Sequence, residues 1–258
     1  MNTKTVLLAA AAVALPVCSP LSAVEETESA YEMQSLEGSQ FFEIAPSVLF
    51  STSNDKFSSW THAAPNVPEA KVSAGHALYG VMLSGGYYPF ARNRVSVDAG
   101  LFIGSYSDTF RAAPYDDGVQ VEYWSLTRKT LSHVNIPVLV TWAYEYEIGA
   151  DFHLRAGPSF GLTLVGIHQR WEDYRSDNFN NNVHTGSSTT GAPVPPDKTD
   201  FSVVLTYGLT VGFTWDATES FYVDGSYKFL GSTGFKAGDQ KRGGSYAHQL
   251  GLAFGWRY

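Results

Sequence analysis

The 258-residue chain has one cysteine, Cys18, near its start, so no disulfide within the chain is possible. Clustered Cys/His metal spacings, glycine-rich phosphate loops and nucleotide fingerprints are missing too, and no cofactor is expected. Charged residues are scarce for a soluble surface, at 16%, and a formal net charge of -8 works against nucleic acid as a partner. No stretch approaches the roughly 20 apolar residues of a membrane-spanning helix. Glycine and aromatics are plentiful instead, with 24 Gly, 15 Tyr, 16 Phe and 6 Trp. If such a chain belongs to a membrane, it belongs there as a closed barrel of strands.

The start of the chain reads as an export signal. Lys4 precedes an apolar run from Val6 to Leu15, followed by Pro16 and the small-residue stretch "SPLSA". This is the pattern of a secretory signal peptide over residues 1–23, cut after about Ala23. A lipoprotein cut before Cys18 fits less well, because Val17 sits where a small residue is wanted. Residues 24–38 are acidic and aperiodic and are expected to be a solvated lead-in, with the barrel domain over 39–258.

From there the chain alternates with a period of two, the mark of strands. The last strand, "HQLGLAFGWRY", sets Leu250, Leu252, Phe254, Trp256 and Tyr258 on one face against Gln249, Gly251, Ala253, Gly255 and Arg257. "RVSVDAGLFIG", "HVNIPVLVTWAYE", "DFHLRAGPSFGLTL", "FSVVLTYGLTVGFTW" and "FYVDGSYKFL" alternate in the same way. With "FFEIAPSVLF" and a blurred "HALYGVMLSGGYYPF", whose apolar face is read as Tyr79, Val81, Leu83 and Tyr87, the count is eight. Connections alternate long and short, the two longest running from Gly104 to Leu131 and from Ile167 to about Thr199. Trp142, Tyr144, Phe152, Trp215, Phe221, Trp256 and Tyr258 share the apolar parity near the short-turn end and form one girdle. The expected fold is an all-β, eight-stranded antiparallel transmembrane β-barrel with short periplasmic turns and long extracellular loops.

At the level of motifs the chain resembles the small outer-membrane β-barrel domain family, the group around the OmpA, OmpX and OmpW barrels. The terminal "LGLAFGWRY" is similar to the C-terminal signal read by the barrel-assembly machinery. "VNIPVLVTWAYE" followed by "HLRAGPSFGLTL" resembles the family's mid-barrel pair. The resemblance implies a monomer in the cell outer membrane, with outer-membrane lipid and lipopolysaccharide around it and the assembly machinery as its partner in biogenesis.

The inward parity places Glu43, Arg94, Asp98, His153, Arg155, Asp224, Lys228 and Arg257 inside the barrel. Eight strands enclose only enough space for side chains, so these charges are expected to pair and plug the lumen. Glu43 and Arg257 are expected to pair across the seam between first and last strands. Above them Ser47, Gly161, Thr163, Ser202, Thr206 and Gly251 suggest a shallow cup without apolar lining. Catalysis would need His76, His133 or His168 with Ser202 or Asp173, in spacings that match no motif, so no enzyme is expected. Two roles remain, contact with a surface partner through the extracellular loops and binding or passage of small apolar compounds. The missing apolar lining favours the first, and Tyr123 and Trp124 in "YDDGVQVEYWSLTRKT" are the candidate anchors, on a strand-like segment offering an open edge for a partner strand.

Overall fold

The computed structural model describes residues 36–57, 70–111, 115–116, 120–149, 151–180, 183–188, 197–237, 240–242 and 244–258. Of residues 53–57, 70–74, 108–128, 171–188, 198 and 235–242, what is described is the backbone path alone. The signal-peptide expectation and nearly all of the lead-in lie outside the described residues.

The strands in chain order are β1 (Gln40–Phe57), β2 (Ala70–Phe90), β3 (Asn93–Arg111), β4 (Tyr115–Asp116), β5 (Gln120–Gly149), β6 (Phe152–Asn180), β7 (Val183–Ser188), β8 (Lys198–Asp216), β9 (Phe221–Ser232), β10 (Phe235–Ala237), β11 (Gln240–Arg242) and β12 (Tyr246–Arg257). Eight of them close a barrel in the order β1, β2, β3, β5, β6, β8, β9, β12, with β12 paired back to β1. At the seam the Gln40 amide donates to the Tyr258 carbonyl at 2.9 Å and the Tyr258 amide to the Gln40 carbonyl at 3.0 Å.

Register fixes the shape. A walk across paired residues from Phe41 through Gly86, Ser96, Thr141, Ser159, Gly208, Leu230 and Ala247 returns to β1 at Ser51, ten residues higher. That stagger tilts the strands by about 40°, leaving roughly 2.5 Å of axial rise per residue. About ten residues of each strand then cross the ~25 Å apolar band of an outer-membrane barrel.

The alternation sorts side chains as a membrane requires. On β1, Phe42, Ile44 and Phe50 are exposed on the outside, whereas Phe41, Glu43, Ala45, Ser47 and Leu49 are buried inside. Trp142, Tyr144, Phe152, Trp215, Trp256 and Tyr258 of the expected girdle all face outward, and Phe221 packs its ring 5.5 Å from Trp256. Closure gives every strand a partner on both sides through the apolar band, which lets the backbone sit in lipid. The turn from β2 to β3 is tight and holds Arg92 at φ 68°, in the left-handed region.

The upper half differs from the sequence reading. Ile167–Thr199 was expected to be a loop, yet β6 reaches Asn180, whereas the segment around Tyr123, read as strand-like above the membrane, does lie in a strand, with β5 beginning at Gln120 and β3 running to Arg111. β5 and β6 stay paired, with bulges, from Gly149 opposite Phe152 to Gln120 opposite Asn180. The polar composition of residues 167–199 was read as loop, while ladder bonds need no apolar side chain. β5 is also an interior strand there. Tyr123 pairs with Asp177, Ser125 with Arg111 and Glu122 with Tyr115, so the expected open edge is already filled.

Two ladders stop early. β2 and β3 pair no higher than Tyr79 opposite Ile103, and β8 and β9 no higher than Thr206 opposite Ser232. The rim therefore divides into one sheet holding β3 to β8 and another built on β1 and β2, to which β11 and β10 are added.

Candidate functional site in the barrel lumen

At the turn end the lumen is filled by charge and aromatic rings. Arg94 pairs with Glu43, and its Nη1 lies 3.6 Å from Glu145 Oε1. Arg155 Nη2 meets Asp224 Oδ1 at 2.6 Å, its Nη1 lies 3.8 Å from Glu43 Oε1, and the Thr214 hydroxyl donates to Asp224 Oδ2 at 2.8 Å. The Arg94 guanidinium lies 3.9 Å over the Phe41 ring and that of Arg257 lies 4.3 Å over Tyr222. Both aromatic rings and Tyr88 are fully or almost fully buried, so charge and ring together leave no open bore at this level.

One layer higher, Lys228 pairs with Asp98, which also accepts from the Thr141 hydroxyl at 2.7 Å. Thr141 is 2.8 Å from the Ser159 hydroxyl, and Ser159 is 2.7 Å from that of Thr210. All eight charged residues named from sequence are buried inside the barrel.

The expected Glu43–Arg257 pair is not formed. Register sets Glu43 opposite Gly255 and Arg257 opposite Phe41, two residues lower, and Arg257 Nη1 meets Asp216 Oδ1 at 2.7 Å. Asp216 also takes His153 Nε2 at 2.8 Å on its other oxygen. Asp216 and Glu145 were overlooked, although both continue the inward parity of their strands, because they border turns where alternation was taken to end.

Above the charges the lumen turns apolar, which overturns the unlined cup. Leu49, Leu78, Met82, Phe102, Leu139 and Leu230 pack together with small side chains, and Val165, Ile167 and Val204 form a second cluster. Over these lies a cavity of ≈ 70 Å³, space for about five waters. Its lining runs from Leu49, Val165 and Val204 to Leu230, Thr206 and Gln249. The inward apolar residues were hidden because outward neighbours such as Val81, Leu83 and Leu101 are apolar too.

The cavity lies against the point where β8 and β9 part, since Val204 and Thr206 line one side and Leu230, Gly231 and Ser232 the other. Leu205 is the last β8 residue held across the seam, accepting from the Thr233 amide at 3.0 Å and donating to its hydroxyl at 3.2 Å. Successive residues of a strand turn their backbone groups to opposite sides. Val203 and Phe201 therefore offer theirs to the same side as Leu205, where no ladder partner meets them among the described residues. Their side chains are exposed on the outer surface, Phe201 at 73% and Val203 at 61%, so the outward apolar face continues up β8 above its ladder with β9, where β10 comes close to it.

Tyr106 joins His76 to His133, and His168 stands apart from both. His76 stacks on Tyr106 at 3.4 Å between centroids, the Tyr106 hydroxyl lies 3.1 Å from His133 Nδ1, and His133 Nε2 is 3.1 Å from Asn135 Oδ1. The first of these contacts bridges β2 and β3 just above the point where their ladder ends. His168 is bonded to the Thr199 hydroxyl at 2.9 Å on the outer face. The side chains of Asp173, Tyr123 and Trp124 lie outside the described residues. Among the described residues no group of His, Cys, Asp and Glu is placed to hold a metal ion, and no helix is long and apolar enough to cross a membrane. Leu250, Leu252, Phe254, Trp256 and Tyr258 are exposed on the outer face of the last strand.

No family model matches the sequence, and no curated protein matches it. Solved structures do. The chain is similar to Neisserial surface protein A at 12% identity and TM-score 0.42, covering 86% of this chain and 100% of that one. It is similar to the outer membrane protein OprG of Pseudomonas aeruginosa at 11% and 0.43, covering 86% and 97%. Ail, the attachment invasion locus protein of Yersinia pestis, matches at 12% and 0.36, covering 86% and 99%. These neighbours are small outer-membrane barrels. For the present chain, the closed eight-stranded barrel stands on its own register.

Proposed function

We propose that the protein resides in the cell outer membrane and takes small apolar compounds into its upper lumen, releasing them sideways between β8 and β9. The observation that carries this reading is the apolar cavity set against a wall whose ladder stops at Thr206 and Ser232. A solute entering from outside meets Leu, Val and Ile side chains. Below it lies a layer of paired charges that an apolar molecule gains nothing by crossing. The sideways route has the apolar Val203 and Phe201 along one side and Ser232 and Thr233 on the other. The chemistry asked of the protein is binding and partition, with no bond made or broken.

The test is uptake of an aromatic hydrocarbon into vesicles carrying the barrel, compared with Val204→Arg, which puts a charge in the cavity wall. Uptake should fall several-fold in the variant while planar-bilayer recordings of both proteins show no steady ion conductance. Equal uptake by a folded Val204→Arg barrel, or an open ohmic pore, would reject the reading.

The tall β5–β6 hairpin favours a second role, contact with a partner at the cell surface. Its 30- and 29-residue strands are about three times the length needed to cross the membrane. Loss of adhesion on replacing Tyr123 and Trp124 with serine, with uptake unchanged, would support that role beside the first.

A further inference from the structure

The sheet made above the barrel by β2, β1, β11 and β10 brings four lysine positions into register. Register sets Lys71 opposite Lys56, Lys56 opposite Lys241 and Lys241 opposite Lys236. Residues paired across strands share a face, so four lysine positions form one row across four adjacent strands, about 4.8 Å apart. The adjoining row on the other face is Val72, Asp55, Arg242 and Phe235, where acid stands opposite base.

In the lysine row the register sets no acid opposite any of the four positions. Lys56 shares parity with Phe42, Ile44 and Phe50, and Lys71 with Tyr79 and Val81, the residues exposed on the outer surface lower down. Among the described residues no Asp or Glu stands on that face of β1, β2, β10, β11 or β12. Like charges directly opposite one another destabilise a sheet, so the row is unfavourable unless anions meet it.

Its height indicates which anions. Lys56 is six residues beyond Phe50, an outward residue at the top of the apolar band. At roughly 2.5 Å of axial rise per residue Lys56 stands about 15 Å above that band, and the strand tilt slopes the row by about 3 Å per strand to either side. There an outer membrane carries the phosphorylated sugars of its outer-leaflet glycolipid. We infer that Lys56, Lys71, Lys236 and Lys241 form a binding row for the phosphate groups of that glycolipid. The inference rests on the outer-membrane placement proposed above and is independent of apolar uptake.

Reconstituted bilayers test it without reference to where the protein resides in the cell. The barrel and a variant carrying K56Q, K71Q, K236Q and K241Q are unfolded with urea in phospholipid vesicles alone, and in vesicles holding intact or dephosphorylated lipopolysaccharide. The native midpoint should rise with the intact glycolipid only, and less at high salt. The glutamine variant should lose that rise, yet match or exceed the native protein in plain phospholipid, because the repulsion is gone. Arginine at all four positions should restore the rise. An equal rise in the glutamine variant, or a rise with the dephosphorylated glycolipid, overturns the inference. So does binding of a soluble sulfated glycan in the absence of any response to lipopolysaccharide. Should the fourfold variant not fold, the pair K71Q and K236Q, at the ends of the row, is expected to show a partial loss, and an unchanged rise in that pair overturns the inference equally.

Discussion

Replacing Arg94 with methionine measures how far the barrel depends on its charged plug. Arg94 joins Glu43 to Glu145, at 3.6 Å from the latter, and lies 3.9 Å over the Phe41 ring. Methionine preserves much of the volume and the ring contact but removes the charge. Glu43 is then left with Arg155 at 3.8 Å and Glu145 with the Tyr88 hydroxyl at 3.3 Å. Stripping one partner from a buried ion pair costs about 3–5 kcal/mol, and the nearby Arg155 should hold the loss toward the lower figure. Adding Glu43→Gln removes the stranded carboxylate, so the double variant should be more stable than the sum of the single losses by about 1–3 kcal/mol. Urea titration of the barrel in bilayers, followed by tryptophan fluorescence and by heat-modifiable migration on a gel, reads all four corners of the cycle. A loss below about 1 kcal/mol for Arg94→Met, or strict additivity, would show that water already solvates these charges and that the plug reasoning fails.

Arginine at Val211, which faces outward near mid-height, should cost about 2–4 kcal/mol by the same titration, whereas arginine at Leu205, near the outer edge of the apolar band, should cost about 0–1 kcal/mol. Equal costs would mean that the membrane lies elsewhere on the barrel. Valine at Gly255 should destabilise by about 1–3 kcal/mol, because a Cβ there would sit on the buried Tyr222 ring, while alanine at Gly75, with open space beside it, should change little. Similar midpoints for these two variants would contradict the packing of the plug.

The membrane half of the fold was legible because lipid outside and polar groups inside force a period of two. Strands such as Val95–Ile103 and Phe201–Trp215 state it in their residue order. The inward set from Glu43 to Arg257 followed from the same parity, but its pairing did not, because partners depend on a ten-residue stagger that no single strand records. The Glu43–Arg257 expectation failed for this reason. Met82 was missed as a lining because β2 is apolar on both faces, and Phe102, already inward by parity, was not joined to it. Above the membrane the alternation around Tyr123 already marked the upper part of β5 as a strand, whereas the polar run after Ile167 did not separate the upper part of β6 from a loop.

The seam has a consequence for how this protein comes to exist. Phe41 is paired with Arg257 and Phe42 with Trp256, so the contacts that close the barrel join residues more than two hundred positions apart. Until that pairing forms, β1 and β12 each keep a bare edge, which water tolerates and lipid does not. Such distant pairing is slow to find unaided. A half-inserted sheet is therefore unstable in the membrane, and closure and insertion must proceed as one event, in a setting that shields both edges until they meet.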